Sequence, residues 1–406
     1  MTANKVLIYT AGTIVWNKQV TECGLKVVAF NENNGQGGTI VSHTLATEMT
    51  ECSQCLIIKK LHFKKTERCI CASLREEGNM PITINNFMGK VGWNARKYVP
   101  KAASKMYLKM QFAKRKKIQK NYIDWFMSQE EPPMPHVVNI ETINRCNSTC
   151  EFCTANIHAE KRPLMKIDEK LFKSIIDQLA DWGYRGHLTL YGNNEPWLDT
   201  RIVELHKYAR EKLPECFIFM STNGLTLTID KVKEVQPYIN QLIINNYGLE
   251  MKLHKNLQEI YDYVNAHPQE FEDLDIQIQI RYLKEILTNR AGSAPNKQGT
   301  TKIVTEPCLM PYTDMWIMPN GKLGICCCDN FEVTDFGDLN TTPLRECWAS
   351  EKYRQLREAV AKGRDQYSFC KYCDFVDAGF RMELAKQILS GNEEAANRIG
   401  GEEKNN

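Results

Sequence analysis

No charge of either sign dominates this 406-residue chain: 52 lysines and arginines stand against 49 aspartates and glutamates, a formal net charge of +3. So mild a balance gives no reason to expect a polyanion such as nucleic acid as a partner. No apolar run approaches the roughly 20 residues that cross a bilayer. The opening Lys5-Val-Leu-Ile-Tyr-Thr-Ala-Gly12 lacks the basic leader and small-residue cleavage site of a secretory signal. It reads as a first strand running into a turn, and the cytoplasm is the expected compartment. The hydrophobic fraction of 43% and the charged fraction of 25% are those of an ordinary globular protein. Cysteine is the departure, with sixteen in the chain. In a cytoplasmic protein they point to metal ligation or thiol chemistry rather than to disulfides.

Residues 1–92 alternate short apolar strands at 6–9, 25–30, 55–58 and 81–84 with helical stretches at 13–23 and 64–77. Such alternation builds a parallel sheet, here a small Rossmann-like α/β domain. Thr10-Ala-Gly12 is only a fragment of a glycine-rich phosphate loop, so a docking domain without a ligand is an equal reading. Cys52, Cys55, Cys69 and Cys71 read as buried thiols, because helical neighbours diverge by about 100° and do not share a metal easily.

Residues 93–132 read as a basic helical connector in which Lys and Arg recur from Arg96 to Lys120 with no acidic residue among them. A solvated linker helix is the favoured reading, and contact with an anionic membrane surface the lesser one. Residues 133–300 show five strand–helix steps, with strands at 136–140, 187–191, 217–221, 242–245 and 276–280. They predict a partial parallel barrel, whose chemistry sits at the C-terminal ends of the strands. Residues 301–390 form a separate cysteine-bearing module, and the polar tail 391–406 is expected to be disordered.

The first cysteine motif follows the first strand of this series. Cys146-Asn-Ser-Thr-Cys150-Glu-Phe-Cys153 is C-x3-C-x2-C. Three thiolates this close grip three irons of a cubane and leave the fourth iron open to a small chelating molecule. A zinc site normally wants four protein ligands. The loop, with the aromatic Phe152 before its third cysteine, resembles that of the radical S-adenosylmethionine (radical SAM) superfamily. The resemblance covers about 136–375. It implies a partial (β/α)6 barrel and a [4Fe–4S] cluster that binds S-adenosylmethionine. It also implies a 5′-deoxyadenosyl radical that takes hydrogen from substrate. Tyr191-Gly192-Asn193-Asn194-Glu195-Pro196 is similar to the family's Gly-Gly-Glu motif, which holds the methionine amino group. Two asparagines stand where that motif has glycines, and Glu195 is kept. Ser221 and Asn223 are then placed for the ribose hydroxyls and Arg281 for the cofactor carboxylate. Turn formation at Ser221 and Asn223, and an internal salt bridge at Arg281, are the plainer alternatives.

A second set comprises Cys308, Cys326, Cys370 and Cys373. Spacing alone leaves a cluster and a zinc site both open. The set resembles the twitch module, the one-cluster short form of the SPASM domain, which implies one auxiliary [4Fe–4S] cluster. Cys347 reads as a core thiol. Cys327 and Cys328 are lesser candidates for a ligand or a hydrogen donor.

Together these features lead to an oxidoreductase acting on a carbohydrate-like substrate (a sugar, an aminocyclitol or a nucleotide sugar) by dehydrogenation or epimerisation. An external one-electron donor such as flavodoxin or ferredoxin is implied. A maturase that modifies a ribosomally made peptide is the alternative, and an inactive iron–sulfur scaffold a third reading.

Overall fold

The computed structural model describes residues 7–10, 13–15, 101–157, 162–297, 302–377 and 379–392. The chain divides into two compact units, Met1–Val15 with Met106–Gly401, and Trp16–Lys105 with Glu402–Asn406. Of the second unit only residues 101–105, which are helical, are described. The rest of the expected N-terminal domain, its four cysteines and the tail beyond 392 lie outside the described residues.

Among the described residues the first unit is built on one nine-stranded sheet. Its strands are β1 (Leu7–Thr10), β2 (Thr13–Val15), β3 (Val137–Ile140), β4 (His187–Thr189), β5 (Phe217–Thr222), β6 (Gln241–Gly248), β7 (Asp275–Tyr282), β8 (Asp314–Ile317) and β9 (Leu323–Gly324). Their order is β2-β1-β7-β6-β5-β4-β3-β8-β9. From β3 to β7 each strand lies parallel beside the next in sequence. Helices Glu169–Asp181, Ile202–Lys212, Ile229–Val235 and Lys255–Ala266 make the crossovers. The first opens where the Asp168 carboxylate accepts the Leu171 N–H, and it turns Phe172, Ile175, Ile176 and Leu179 inward. Each such side chain contributes roughly 2 kcal/mol of burial.

Strand periodicity separates two faces. In β7, Ile276, Ile278 and Ile280 are buried in the core, whereas Asp275, Gln277, Gln279 and Arg281 are half-buried on the other face.

The serial parallel strands number five, as expected, and further parallel neighbours come from elsewhere in the chain: β1 beside β7 and β8 beside β3. Two features depart from expectation. The expected helix at 13–23 begins instead with the strand Thr13–Val15, antiparallel to β1. Thr, Ile and Val are β-branched, which favours a strand over a helix. Nor does the sheet break at residue 300, because Val137 to Ile140 pair with Asp314 to Ile317. The cysteine-bearing module is thus an extension of the barrel sheet.

The connector is the helix Lys101–Met127, and it buries Tyr122, Ile123 and Phe126. Among the described residues no helix is long and apolar enough to cross a membrane. The helix meets the cysteine module through Arg357. That buried guanidinium lies 4.1 Å from the Trp348 ring centre, 4.2 Å from that of Tyr353 and 5.1 Å from that of Phe126. It donates to the carbonyls of Pro311 and Trp348 at 2.9 Å each. Burial lowers its pKa to about 10. The aromatic faces supply much of what the cation loses with its water. Cys347 is buried beside Gly337, as a core thiol should be. Arg357→Ala should cost on the order of 3 kcal/mol in chemical denaturation, through the cavity and two unpaired carbonyls. A change below about 0.5 kcal/mol would show the cage to be incidental.

Candidate functional site

The C-terminal ends of the parallel strands carry the chemistry-bearing loops. After β3 the chain turns through Cys146, Cys150 and Cys153, with the Cys153 N–H donating to the Cys150 carbonyl at 3.0 Å. The loop is held from below, where Arg145 donates to the Arg162 carbonyl at 2.7 Å and Asn144 to the Pro163 carbonyl at 2.8 Å.

Polar groups converge on the sulfurs. The Ser148 N–H reaches Cys146 Sγ at 3.4 Å, and Ser148 Oγ and Cys150 Sγ are hydrogen-bonded at 3.2 Å. Asn223, from the loop after β5, extends its amide to Cys146 Sγ at 3.6 Å and to Asn147 Oδ1 at 2.7 Å. Burial pushes the Cys146 thiol up to about 12 and raises that of Cys150. Buried sulfurs that collect hydrogen-bond donors fit a thiolate whose charge a metal neutralises. Among the described residues no three His, Cys, Asp or Glu side chains close on a single ion. Ligands of a cubane need not do so, since each holds a different iron.

Glu195 stands after β4, and its N–H bonds the Arg145 carbonyl at 2.8 Å. Its carboxylate is already engaged by this chain: it accepts from the Thr222 hydroxyl and the Asn223 N–H at 2.7 Å each, and from the Trp197 N–H at 3.3 Å. Burial raises its pKa, and these bonds oppose the rise. Asn194 closes its own turn, accepting the Gly192 N–H at 2.7 Å. Gly192 passes so close to Glu141 that a Cβ would come within 3.1 Å of that side chain.

The remaining expected residues form one row. The Ser221 hydroxyl accepts from Asn245 at 2.9 Å, and Arg281 donates to Asn245 Oδ1 at 3.4 Å. Arg281 also pairs with Glu285 at 2.6 Å and lies 5.2 Å from the Tyr247 ring centre. The Tyr247 ring in turn meets Phe152 at 5.4 Å between centroids.

Two groups went unnoticed in the sequence. Arg290 donates to Asn193 Oδ1 at 2.8 Å and to the Cys327 carbonyl at 3.2 Å, and Asn193 also reaches that carbonyl at 3.0 Å. Burial opposes the charge of Arg290, but the neighbouring thiols of Cys153, Cys327 and Cys328 favour it and win. The guanidinium therefore lies between the two cysteine sets. Arg290 and Ala291 hold left-handed φ of 47° and 54°, a conformation that L residues keep only when their surroundings enforce it.

The second group is Arg162, which donates to Glu332 at 2.6 Å, to Glu141 at 3.3 Å and to Asn330 at 3.3 Å. It ties the barrel rim to the loop after β9. No local pattern marks either arginine, since the partners lie far away in sequence.

Cys308, Cys326, Cys370 and Cys373 come together around a cavity of about 20 Å³, with Cys328 as a fifth thiol on its wall. Met310, Pro311, Ile325, Phe369 and Phe375 supply apolar lining and Arg364 a cation. Burial raises the Cys308 thiol strongly and that of Cys370 to about 12. This donor set also fits a cluster. Cys327 is half-buried, with its thiol against those of Cys326 and Cys328 and its carbonyl held by Asn193 and Arg290.

A parallel sheet with three thiols at its C-terminal rim, Cys150 buried and Cys146 and Cys153 half-buried, and a thiol-lined cavity beside it, defines an iron–sulfur oxidoreductase of the barrel type. Residues 140–264 match the Radical SAM superfamily, and residues 308–374 match SPASM, an iron-sulfur cluster-binding domain. The chain thus carries a radical SAM domain followed by a SPASM domain. It is 21% identical over 243 residues to the S-adenosyl-L-methionine-dependent 2-deoxy-scyllo-inosamine dehydrogenase of Niallia circulans, covering 59% of this chain and 93% of that one. The crystal structure of BtrN in complex with AdoMet and 2-DOIA shares the fold, with a TM-score of 0.52 and 20% identity over 60% of this chain and 94% of that one. Streptococcus suis SuiB bound to S-adenosylmethionine is more distant, with a TM-score of 0.37 and 14% identity over 68% of this chain and 78% of that one.

Two outcomes test the site. Anaerobically reconstituted protein should hold about eight irons, falling to about four when Cys146, Cys150 and Cys153 are all changed to Ala. Changing Cys308, Cys326, Cys370 and Cys373 to Ala should remove the other four; an iron count unmoved by either set would refute the assignment. The second outcome concerns Glu141, which burial raises from 4.5 to about 7 despite Arg162. Between those values the folded chain keeps a proton that the unfolded chain has lost, so stability falls as pH rises. Glu141→Gln should flatten that fall, which is on the order of 3 kcal/mol, in urea titrations across the same pH range.

Proposed function

We propose that this chain removes hydrogen from a carbon bearing a hydroxyl or amine in a polyhydroxylated, carbohydrate-like substrate. The observation that carries the reading is the polar inner face of the sheet beside the first cysteine loop. Asn245, Gln277 and Gln279 share that face, with Asn245 directly opposite Gln279 in the ladder. Amides and hydroxyls both donate and accept, as a ring of hydroxyls requires. The inosamine named in the Niallia circulans relative supports the same substrate class.

Cys146, Cys150 and Cys153 would hold the first cluster and leave one iron to S-adenosylmethionine. When bound, that pair supplies the 5′-deoxyadenosyl radical that accepts the substrate hydrogen. Phe152, Gly192 and Asn194 would wall the cofactor, and Ser221 and Asn223 would take its ribose. Glu195 holds the loop after β5 in place and keeps lone pairs for an ammonium. Arg281, braced by Glu285, would meet a carboxylate. Cys308, Cys326, Cys370 and Cys373 would hold the second cluster, with Cys328 in reserve on its wall. Cys327, whose carbonyl accepts from Arg290, and Cys328 are the candidate hydrogen donors if the reaction is an epimerisation. An external one-electron donor of the flavodoxin or ferredoxin kind starts the cycle, and the reducing cytoplasm suits so many thiols.

Reduced protein given S-adenosylmethionine should form 5′-deoxyadenosine, and Cys146→Ala should form none. Inosamines or sugars deuterated at the reacting carbon should pass the label into 5′-deoxyadenosine. Label arriving only from a peptide would overturn the reading. Glu195→Gln should raise the KM for S-adenosylmethionine at least about tenfold, as loss of a charge-assisted bond implies.

A further inference from the structure

The basic helix has no part in the reaction as described, yet the structure sets it against the second cysteine set. Lys116 Nζ pairs with Glu306, two residues before Cys308, at 2.9 Å. Gln119 Nε2 donates at 2.9 Å to Asp377 Oδ2, the same oxygen that accepts the Leu309 N–H at 2.8 Å. The helix is thus fastened on both sides of Cys308. On the cavity's other wall, the loop Cys370-Lys371-Tyr372-Cys373 brings Tyr372 to the surface.

Outward from these contacts the helix presents Lys109, Lys114, Lys117 and Lys120 to solvent. Met110 and Phe112 stand among them, 62% and 54% exposed. From 94 to 123 the sequence has no acidic residue, and Asp124, the next along, pairs with Lys120 and leaves Lys109, Lys114 and Lys117 to carry the charge. Apolar and basic residues are not sorted onto opposite faces, as a helix lying in a bilayer surface requires. Basic residues around a small apolar centre suit a protein of opposite charge, whose encounter such a field accelerates.

The geometry points to this strip as the docking surface for an acidic one-electron carrier protein serving the second cluster. The inference rests on the oxidoreductase reading. Oxidation of an alcohol to a carbonyl removes two hydrogens from the substrate: one leaves as an atom to 5′-deoxyadenosine, the other as a proton and an electron. The proton goes to solvent, and the electron must leave the protein. An oxidised carrier of the flavodoxin or ferredoxin class takes it and is reduced by one.

The test is association of the reconstituted chain with oxidised flavodoxin, an acidic carrier, measured by calorimetry at low and high salt. Binding should weaken steeply with salt and at least about tenfold in the variant Lys114→Glu with Lys117→Glu and Lys120→Glu. In the variant, 5′-deoxyadenosine formation driven by dithionite should stay at the parental rate, since that reductant needs no docking. Binding that ignores both salt and charge reversal would overturn the inference. So would phosphatidylglycerol vesicles that bind the parent but not the variant while flavodoxin binds neither. Should dithionite and labelled substrates reveal no carbohydrate oxidation, the reading of the reaction fails, while the binding result judges the docking surface by itself.

Discussion

Sulfur buried away from water is the constraint on which this structure turns. A thiol in a low-dielectric setting resists ionisation, and Cys146 and Cys370 are both pushed to about 12. Such residues add little as packing and are poor nucleophiles. They become useful when a metal supplies the charge that the protein withholds. The surroundings agree with that use: Ser148 and Asn223 aim donors at the first set, and apolar side chains close around the second. Burial that penalises the bare thiol also keeps water from a reactive site.

Holding two such sites at a set separation is the second demand, and buried arginines meet it. Arg162 joins Glu141 on the barrel rim to Glu332 in the cysteine module. Arg290 joins the turn after β4 to the backbone of Cys327. Arg357 packs the connecting helix against the module's own helices. Buried charges of this kind are costly unless well partnered, and for that reason they define position sharply, even though one Arg357 nitrogen finds no acceptor. The continuous sheet, with β8 hydrogen-bonded to β3, makes the two sites parts of one body.

Parts of this arrangement were legible in the chain and parts were not. The helix Glu169–Asp181 followed its cap and apolar spacing closely. The second cysteine set was grouped through resemblance, and the structure brings its four members together with an unassigned fifth, Cys328. The strand at Thr13–Val15 was mistaken for helix because three β-branched residues in a short stretch carry little periodicity. Glu195 was legible as a carboxylate on the rim, but its bonds to Thr222 and Asn223 were not, since they depend on two loops meeting.

What the sequence determined by itself is chemistry over short range. Three cysteines within eight residues can reach one cluster however the rest of the chain is folded, because covalent spacing limits their separation. Alternation of apolar residues likewise chose strand or helix before any tertiary contact formed. Only the tertiary structure decided which distant groups meet. Arg162 and Glu332 are 170 residues apart, and the docking of β8 on β3 brings them together. Such pairs leave no local trace, because the energy that joins them is gained only once the sheet and its burial exist.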